Sequence, residues 1–121
     1  MATGVKTTTS TDLKASDYVH LHNHTHHSLL DGLTKVDELV ERVKYLGMDA
    51  VAMTDHGTLS GAIEFYKACK DQDVKPIIGI EAYVAARTRH DRDPAKDKAR
   101  YHIILLAMNN TGYQKIGRAH V

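Results

Sequence analysis

Histidine is concentrated near the beginning of this sequence, where five of the nine histidines lie between His20 and His27. Strand-like alternation would put His20, His22 and His24 on one face of an extended segment. Neutral imidazole is the commonest nitrogen ligand for zinc, iron and manganese in proteins. Three imidazoles on one face therefore predict a metal-binding site.

Further donors occur where apolar runs begin or end. Asp31 lies in the loop after the histidines, and His56 follows the apolar residues 49–53. Glu81 ends another apolar run, and His102 begins one. Strand ends at one edge of a parallel α/β sheet are where sites form. The predicted metal ligands are His22, His24, Asp31, His56, Glu81 and His102.

This mixed set of nitrogen and carboxylate donors is larger than one four-coordinate ion requires. We therefore expect two or three divalent metal ions, with zinc, manganese or iron as the candidates. Closely spaced cations neutralise phosphate oxygens, lower the pKa of a water molecule and stabilise the leaving oxygen. The donor set accordingly favours metal-assisted phosphoester hydrolysis, with a metal-bound water rather than a side chain as the attacking group.

Other polar residues near these donors are assigned lesser roles. His20 is expected to pack against a ligand or hydrogen-bond to one, rather than to bind metal directly. Asp55 is expected to support a ligand or shape a turn, because it faces away from the histidine that follows it. His26, His27 and His90 are expected to be solvated loop residues.

The elements that must position these donors alternate between strand and helix. Strands are predicted over residues 17–22, 49–53 and 76–81, followed by an antiparallel return over residues 101–107. Residues 87–100 contain six basic and three acidic residues and are predicted to form a surface loop.

Two helices are predicted between the first three strands. The first buries apolar residues at helical spacing: Val36, Leu39, Val40, Val43 and Leu46. Thr34 with Asp37 resembles a capping box, and Gly47 fits the helix end. Ser60 is predicted to cap the second helix. That helix points four residues inward: Ala62, Ile63, Tyr66 and Cys69.

The composition is that of one small globular domain. With 121 residues and 42% hydrophobic content, the chain can fill a single core. A formal net charge of +1 provides no global field for nucleic acid or an anionic membrane. Cys69 is the one cysteine, so no internal disulfide can form, and no apolar run approaches a membrane span. We expect a cytoplasmic protein with no membrane partner.

Composition divides the chain into three segments. Residues 1–17, rich in Thr, Ser and Ala, are predicted to be a disordered lead-in. Residues 18–115 are predicted to form the domain. Residues 116–121 resemble translated read-through of a sequencing adapter, so we predict a non-native tail outside the fold.

The motifs and their order resemble the polymerase and histidinol phosphatase (PHP) family, from about Tyr18 to Gln114. The resemblance is carried by His22-x-His24, by Thr54-Asp55-His56-Gly57 and by residues 75–81. The Leu-Leu-Asp-Gly turn at residues 29–32 and the segment 102–114 are most similar to the N-terminal part of bacterial DNA polymerase III alpha subunits.

This resemblance implies the N-terminal portion of a distorted (βα)7 PHP barrel, truncated after about four strands, with the six donors as metal ligands. It implies a parent that is a DNA-directed DNA polymerase of DNA replication, with DNA and other replisome subunits as partners. The phosphoesterase reaction would be 3′–5′ exonuclease proofreading, and magnesium would serve the parent's polymerase site. The chain alone would be inactive, because the palm, fingers, thumb and remaining family ligands are absent.

Two alternatives within the same fold stay open. One is a stand-alone PHP phosphatase that acts on a small phosphoester such as histidinol phosphate. The other is a non-catalytic structural PHP domain that binds metal weakly or not at all.

The sequence also departs from the family pattern at two positions. His26 and His27 stand where an acidic or polar residue and an aromatic residue are more usual in the family.

Overall fold

Over residues 12–118, the chain folds as a small mixed sheet of three strands with helices between and beside them. The computed structural model describes residues 12–118. The helices are a 3-10 helix (Ala15–Asp17), α1 (Val36–Tyr45), α2 (Ala62–Asp71) and α3 (Asn110–Arg118), and the strands are β1 (Ala50–Met53), β2 (Lys75–Ala85) and β3 (Arg100–Leu106). The predicted α/β class is confirmed. Within the described range, no helix combines the length and apolarity needed to cross a membrane.

The central strand β2 has neighbours of opposite direction. β1 pairs in parallel with the beginning of β2, starting with Ala50 opposite Lys75. β3 pairs antiparallel with the rest of β2, starting with Gly79 opposite Leu106. The antiparallel return predicted for residues 101–107 is confirmed.

The buried strand predicted for residues 17–22 is wrong as a regular element. His20 forms an isolated parallel bridge with Val51, and its carbonyl accepts a hydrogen bond from the Ala52 amide at 2.8 Å. Tyr18 is exposed, so this segment is not buried. It nevertheless runs beside β1 and carries the following histidines to the sheet.

The main core lies between α1, α2 and β1. Its buried residues are Val36, Val40, Val43, Val51, Met53, Ala62, Phe65, Cys69 and Val74. The predicted inward face of α2 is partly wrong, because Phe65 is fully buried whereas Ile63 and Tyr66 are exposed. Leu46, predicted to face the core at the end of the first helix, is exposed as well.

The helix ends agree only in part with the predicted caps. Lys35 is the N-cap of α1 and makes no side-chain cap hydrogen bond, so the capping box predicted at Thr34 is wrong. Gly47 has a φ of 74° and ends α1 as predicted. The N-cap of α2 is Gly61, not the predicted Ser60.

Within the described residues, both predicted end segments contain some helical structure. Ala15–Asp17 is helical rather than disordered, while residues 1–11 lie outside the described residues. At the other end α3 continues to Arg118, and Ile116 is buried against β2. The segment 116–121 is therefore partly within the fold, residues 119–121 lie outside the description, and its non-native origin stays a prediction.

Residues 86–99 form a largely exposed loop between β2 and β3, close to the predicted bounds of 87–100, and Arg100 begins β3. Arg87 donates from Nε and Nη2 to the Asp97 carboxylate at 2.7 and 2.6 Å. These hydrogen bonds raise the pKa of Arg87 and lower the pKa of Asp97. The pair ties the beginning of the loop to its later half.

Candidate metal centre

Glu81 lies on β2 where chain segments meet the strand from both sides. Its amide donates to the Asp55 carbonyl at 3.1 Å, and its carbonyl accepts from the Gly57 amide at 3.0 Å. On the opposite side it pairs with Ile104 of β3. Glu81 is only 7% exposed, so its carboxylate depends on neighbouring side chains to replace water.

Two predicted ligands meet on one oxygen of this carboxylate. His22 Nε2 lies 2.7 Å from Glu81 Oε2, and His24 Nε2 lies 2.5 Å from the same oxygen. The two imidazole nitrogens are 3.2 Å apart. The structure thus brings His22, His24 and Glu81 together.

Asp31 reaches these residues through the other ring nitrogen of His24. Its carboxylate contacts His24 Nδ1 and accepts a hydrogen bond from Ser28 Oγ at 3.0 Å. The turn closes because the Asp31 and Gly32 amides both donate to the Ser28 carbonyl. Leu30, within the turn, has a φ of 64°, which is uncommon for a residue with a Cβ. Asp31 therefore lies on the Nδ1 side of the His24 ring and Glu81 on the Nε2 side, and the role of Asp31 as a metal ligand stays a prediction.

His56 and His102 lie on the other side of Glu81. His102 Nδ1 is 3.3 Å from Glu81 Oε1. The His56 ring contacts the rings of His24 and His102, at centroid distances of 5.9 and 4.4 Å. Tyr83 packs against His56 and His102, at 4.6 and 5.1 Å. These rings form a continuous layer around the carboxylate.

His56 has one satisfied and one unsatisfied polar group. Its amide donates to Ser28 Oγ at 3.0 Å. Its Nδ1 is buried and has no hydrogen-bond partner within residues 12–118. A buried nitrogen without a partner is costly and requires an explanation. Coordination of a cation would supply one.

Two opposing effects act on the Glu81 carboxyl. Burial raises its pKa, but hydrogen bonds and charge from His22 and His24 outweigh burial, so the pKa of Glu81 lies below its ordinary value. The carboxylate is therefore anionic at neutral pH and suited to accept a cation.

The donors form two sets that share Glu81: His22, His24 and Glu81, and His56, Glu81 and His102. Within each set the ligand atoms lie within 4.8 Å of one another. We call these five residues the Glu81 group. Imidazole nitrogen with carboxylate oxygen suits zinc, manganese or iron. Together with the unpartnered nitrogen of His56, this donor chemistry fits divalent cations.

The residues predicted to support the ligands occupy different places. Asp55 is fully buried and accepts hydrogen bonds from the Thr25 amide and hydroxyl, at 2.5 and 2.8 Å. Thr25 directly follows His24, so this contact fixes the chain beside a candidate ligand. The His20 ring instead contacts Tyr18, at 4.8 Å between ring centroids, and His20 belongs to neither donor set that contains Glu81.

Sequence reasoning missed several residues of the site. Tyr83 was detectable, because residues two apart on a strand share a face with Glu81. Ser28 gave no signal, since hydroxyl residues are common in loops. The prediction that His27 is solvated is wrong, because it is partly buried and its Nε2 lies 2.9 Å from Glu64 Oε2.

This chain is similar in sequence to known proteins. The model of the family described as PHP domain matches residues 20–119. DNA polymerase III subunit alpha of Thermus aquaticus is 51% identical over 105 residues, and that of Aquifex aeolicus is 47% identical over 108 residues. Each match covers 84% of this chain but 9% of the relative. The chain thus spans about a tenth of the length of these relatives.

Solved structures share the fold at lower sequence identity. A protein of Bifidobacterium adolescentis classed as a metal-dependent phosphoesterase superposes with a TM-score of 0.57 at 22% identity, covering 83% of this chain and 32% of that one. An amidohydrolase from Chromobacterium violaceum superposes with a TM-score of 0.58 at 22% identity and the same coverage. Both support a partial barrel of this kind.

Proposed function

This chain belongs to the PHP domain family, and on that premise we propose that the Glu81 group binds divalent metal ions and hydrolyses phosphoesters. The proposal rests on the Glu81 carboxylate, whose two oxygens face different sets of histidines. Oε2 of Glu81 faces His22 and His24, and Oε1 faces His102. A carboxylate in this position can serve two cations at once.

The ions we propose are zinc, manganese or iron, two or three in number. When bound, such cations neutralise charge on phosphoryl oxygens and favour loss of a proton from a water molecule. Asp31 holds the His24 ring through Nδ1, so that Nε2 faces Glu81. Tyr83 covers the rings of His56 and His102 and restricts their motion. His22, with its side chain 55% exposed, lies where a substrate can approach.

We propose DNA as the substrate class. The relatives at 41–51% identity are DNA polymerase III alpha subunits. The chain would then be part of a DNA-directed DNA polymerase, a nucleotidyltransferase located in the cytoplasm with other replisome subunits as partners. The Glu81 group would carry out 3′–5′ exonuclease proofreading. Polymerisation with magnesium belongs to the rest of such a protein, and this chain alone is expected to be inactive.

Two other functions use the same residues. Hydrolysis of a small phosphomonoester such as histidinol phosphate would need the same donor chemistry. A structural role would need the hydrogen-bonded group but not stable metal binding. The substrate and the metal content separate these possibilities.

Metal content is the first test. The purified chain would be dialysed against zinc, manganese or iron, and the bound ions counted by elemental analysis, with circular dichroism recorded on each sample. We expect Glu81→Gln and His24→Ala to bind fewer ions than the wild type. Glu41→Gln on the exposed face of α1 is the matched control and should bind as many as the wild type. Equal counts in all four proteins would contradict the proposal.

Activity is the second test, made on the full-length protein encoded by the same gene. Release of 3′-terminal nucleotides from single-stranded DNA, lost in Glu81→Gln, is the expected result. Hydrolysis of p-nitrophenyl phosphate without nucleotide release would favour the phosphatase. Metal binding with neither activity would favour the structural role.

A further inference from the structure

A second set of donors lies outside the Glu81 group, where the turn after Thr25 meets the first turn of α2. His26, His27 and Glu64 each offer a ligand atom, and these atoms lie within 4.8 Å of one another. His27 Nε2 and Glu64 Oε2 are already 2.9 Å apart. None of the three residues belongs to either set that shares Glu81.

The local backbone explains why two adjacent histidines face the same way. Neighbouring side chains point apart on a strand, but residues 26 and 27 lie in a turn. The His26 amide donates to the Thr34 carbonyl at 2.9 Å, and the His27 amide donates to Thr25 Oγ1 at 3.2 Å. Their ring centroids are 4.3 Å apart. The turn therefore presents both imidazoles together.

Gly61 fixes the position of the His27 ring. A Cβ at residue 61 would lie 2.6 Å from His27 Cδ2, so the ring occupies space that only glycine leaves open. Gly61 is also the N-cap of α2, which carries Glu64 in its first turn. The same helix start thus seats one donor and supplies another.

We propose that His26, His27 and Glu64 form a separate surface site for a divalent transition-metal ion, with zinc as the ion that this donor set favours. Two imidazoles and one carboxylate supply three protein ligands, and water completes the coordination. The Glu64 side chain is 47% exposed and that of His27 is 25% exposed, so a bound ion can exchange with ions in solution. It depends on the turn and α2, not on β2.

The test measures zinc binding to the whole chain by equilibrium dialysis and by calorimetric titration. Glu64→Gln and His27→Ala should each bind one zinc ion fewer than the wild type, or bind that ion at least roughly tenfold more weakly. Gly61→Ala should weaken the binding of the same ion without removing a ligand, because the added methyl group displaces the His27 ring. The matched controls are His90→Ala, in the exposed loop, and Glu41→Gln, on α1. Both should bind as the wild type does.

Glu81→Gln separates this site from the proposed function. A Glu81→Gln protein that still binds one zinc ion, lost on adding Glu64→Gln, supports the surface site whatever the Glu81 group does. Wild-type binding by Glu64→Gln and His27→Ala would overturn it, and so would complete loss of zinc in Glu81→Gln. Because Glu64 is exposed, its substitution leaves the core intact and the test remains decisive if His27→Ala fails to fold.

Discussion

Asp55 accepts two hydrogen bonds from Thr25, one from its amide at 2.5 Å and one from its hydroxyl at 2.8 Å, across thirty residues of sequence. Both residues are fully buried. The pair joins the end of the β1 segment to the loop that carries the first candidate ligands, so it couples stability to the geometry of the site.

Loss of this carboxylate should be costly. Asp55→Ala leaves the buried Thr25 amide without a partner, and we expect the free energy of unfolding to fall by about 3 kcal/mol in denaturant titration. Asp49→Ala, an exposed aspartate just before β1, is the matched control and should change it by less than about 0.5 kcal/mol. Similar losses in the two variants would show that the Thr25 contact does not stabilise the fold.

Adjacent aromatic residues on α2 test the observed orientation of that helix. Phe65 is fully buried, so Phe65→Ala should lower the free energy of unfolding by about 3–5 kcal/mol. Tyr66 is 47% exposed, and Tyr66→Ala should cost clearly less, about 1 kcal/mol. Chemical denaturation of both variants measures the difference, and a larger loss for Tyr66→Ala would restore the orientation predicted from sequence.

Two glycines should respond oppositely to a methyl group. A Cβ on Gly79 would lie 2.5 Å from the Leu105 carbonyl oxygen, so Gly79→Ala forces β2 and β3 apart and should destabilise by about 1–3 kcal/mol. A Cβ on Gly112 would meet its nearest atom at 3.6 Å, within α3. Gly112→Ala should therefore stabilise by up to about 1 kcal/mol. Thermal unfolding would measure both, and a tolerated Gly79→Ala would contradict the close approach of the strands.

Cys69 should make stability fall at alkaline pH. Burial raises the pKa of this thiol from 9.0 to about 11, which favours the neutral form in the folded protein. Its contribution is complete below about pH 9 and is lost as the pH rises towards 11, on the order of 2 kcal/mol between pH 8 and pH 10.5. Urea titrations of wild type and Cys69→Ala at the two pH values measure it. An equal alkaline loss in both proteins would show that another group is responsible.

Local patterns predicted α1, the following strand and the end of α1 at Gly47, because valines at helical spacing and a glycine with positive φ act within a few residues. The face of α2 could not be chosen in this way. Its apolar residues form two neighbouring stripes, one with Phe65 and one with Ile63, and only packing against α1 and β1 selects between them.

The candidate site, too, could be predicted from the sequence only in part. Residue type was enough to predict that His22, His24 and Glu81 lie together, and their role as metal ligands stays a prediction. The position of Asp31 depends on the turn at Leu30, whose positive φ no sequence rule for leucine predicts. The pairing of His27 with Glu64 likewise depends on how the turn meets α2.

Glu81 lies on β2, between a parallel partner on one side and an antiparallel partner on the other. This placement determines when during folding the site can form. Its donors come from segments as distant as His22 and His102, and each meeting closes a long loop at an entropic cost. Contacts of such sequence separation form slowly and together. A cation therefore cannot guide the early steps of folding through this site. It binds and stabilises only molecules whose sheet is already complete, so its binding reports that the chain has reached its final topology.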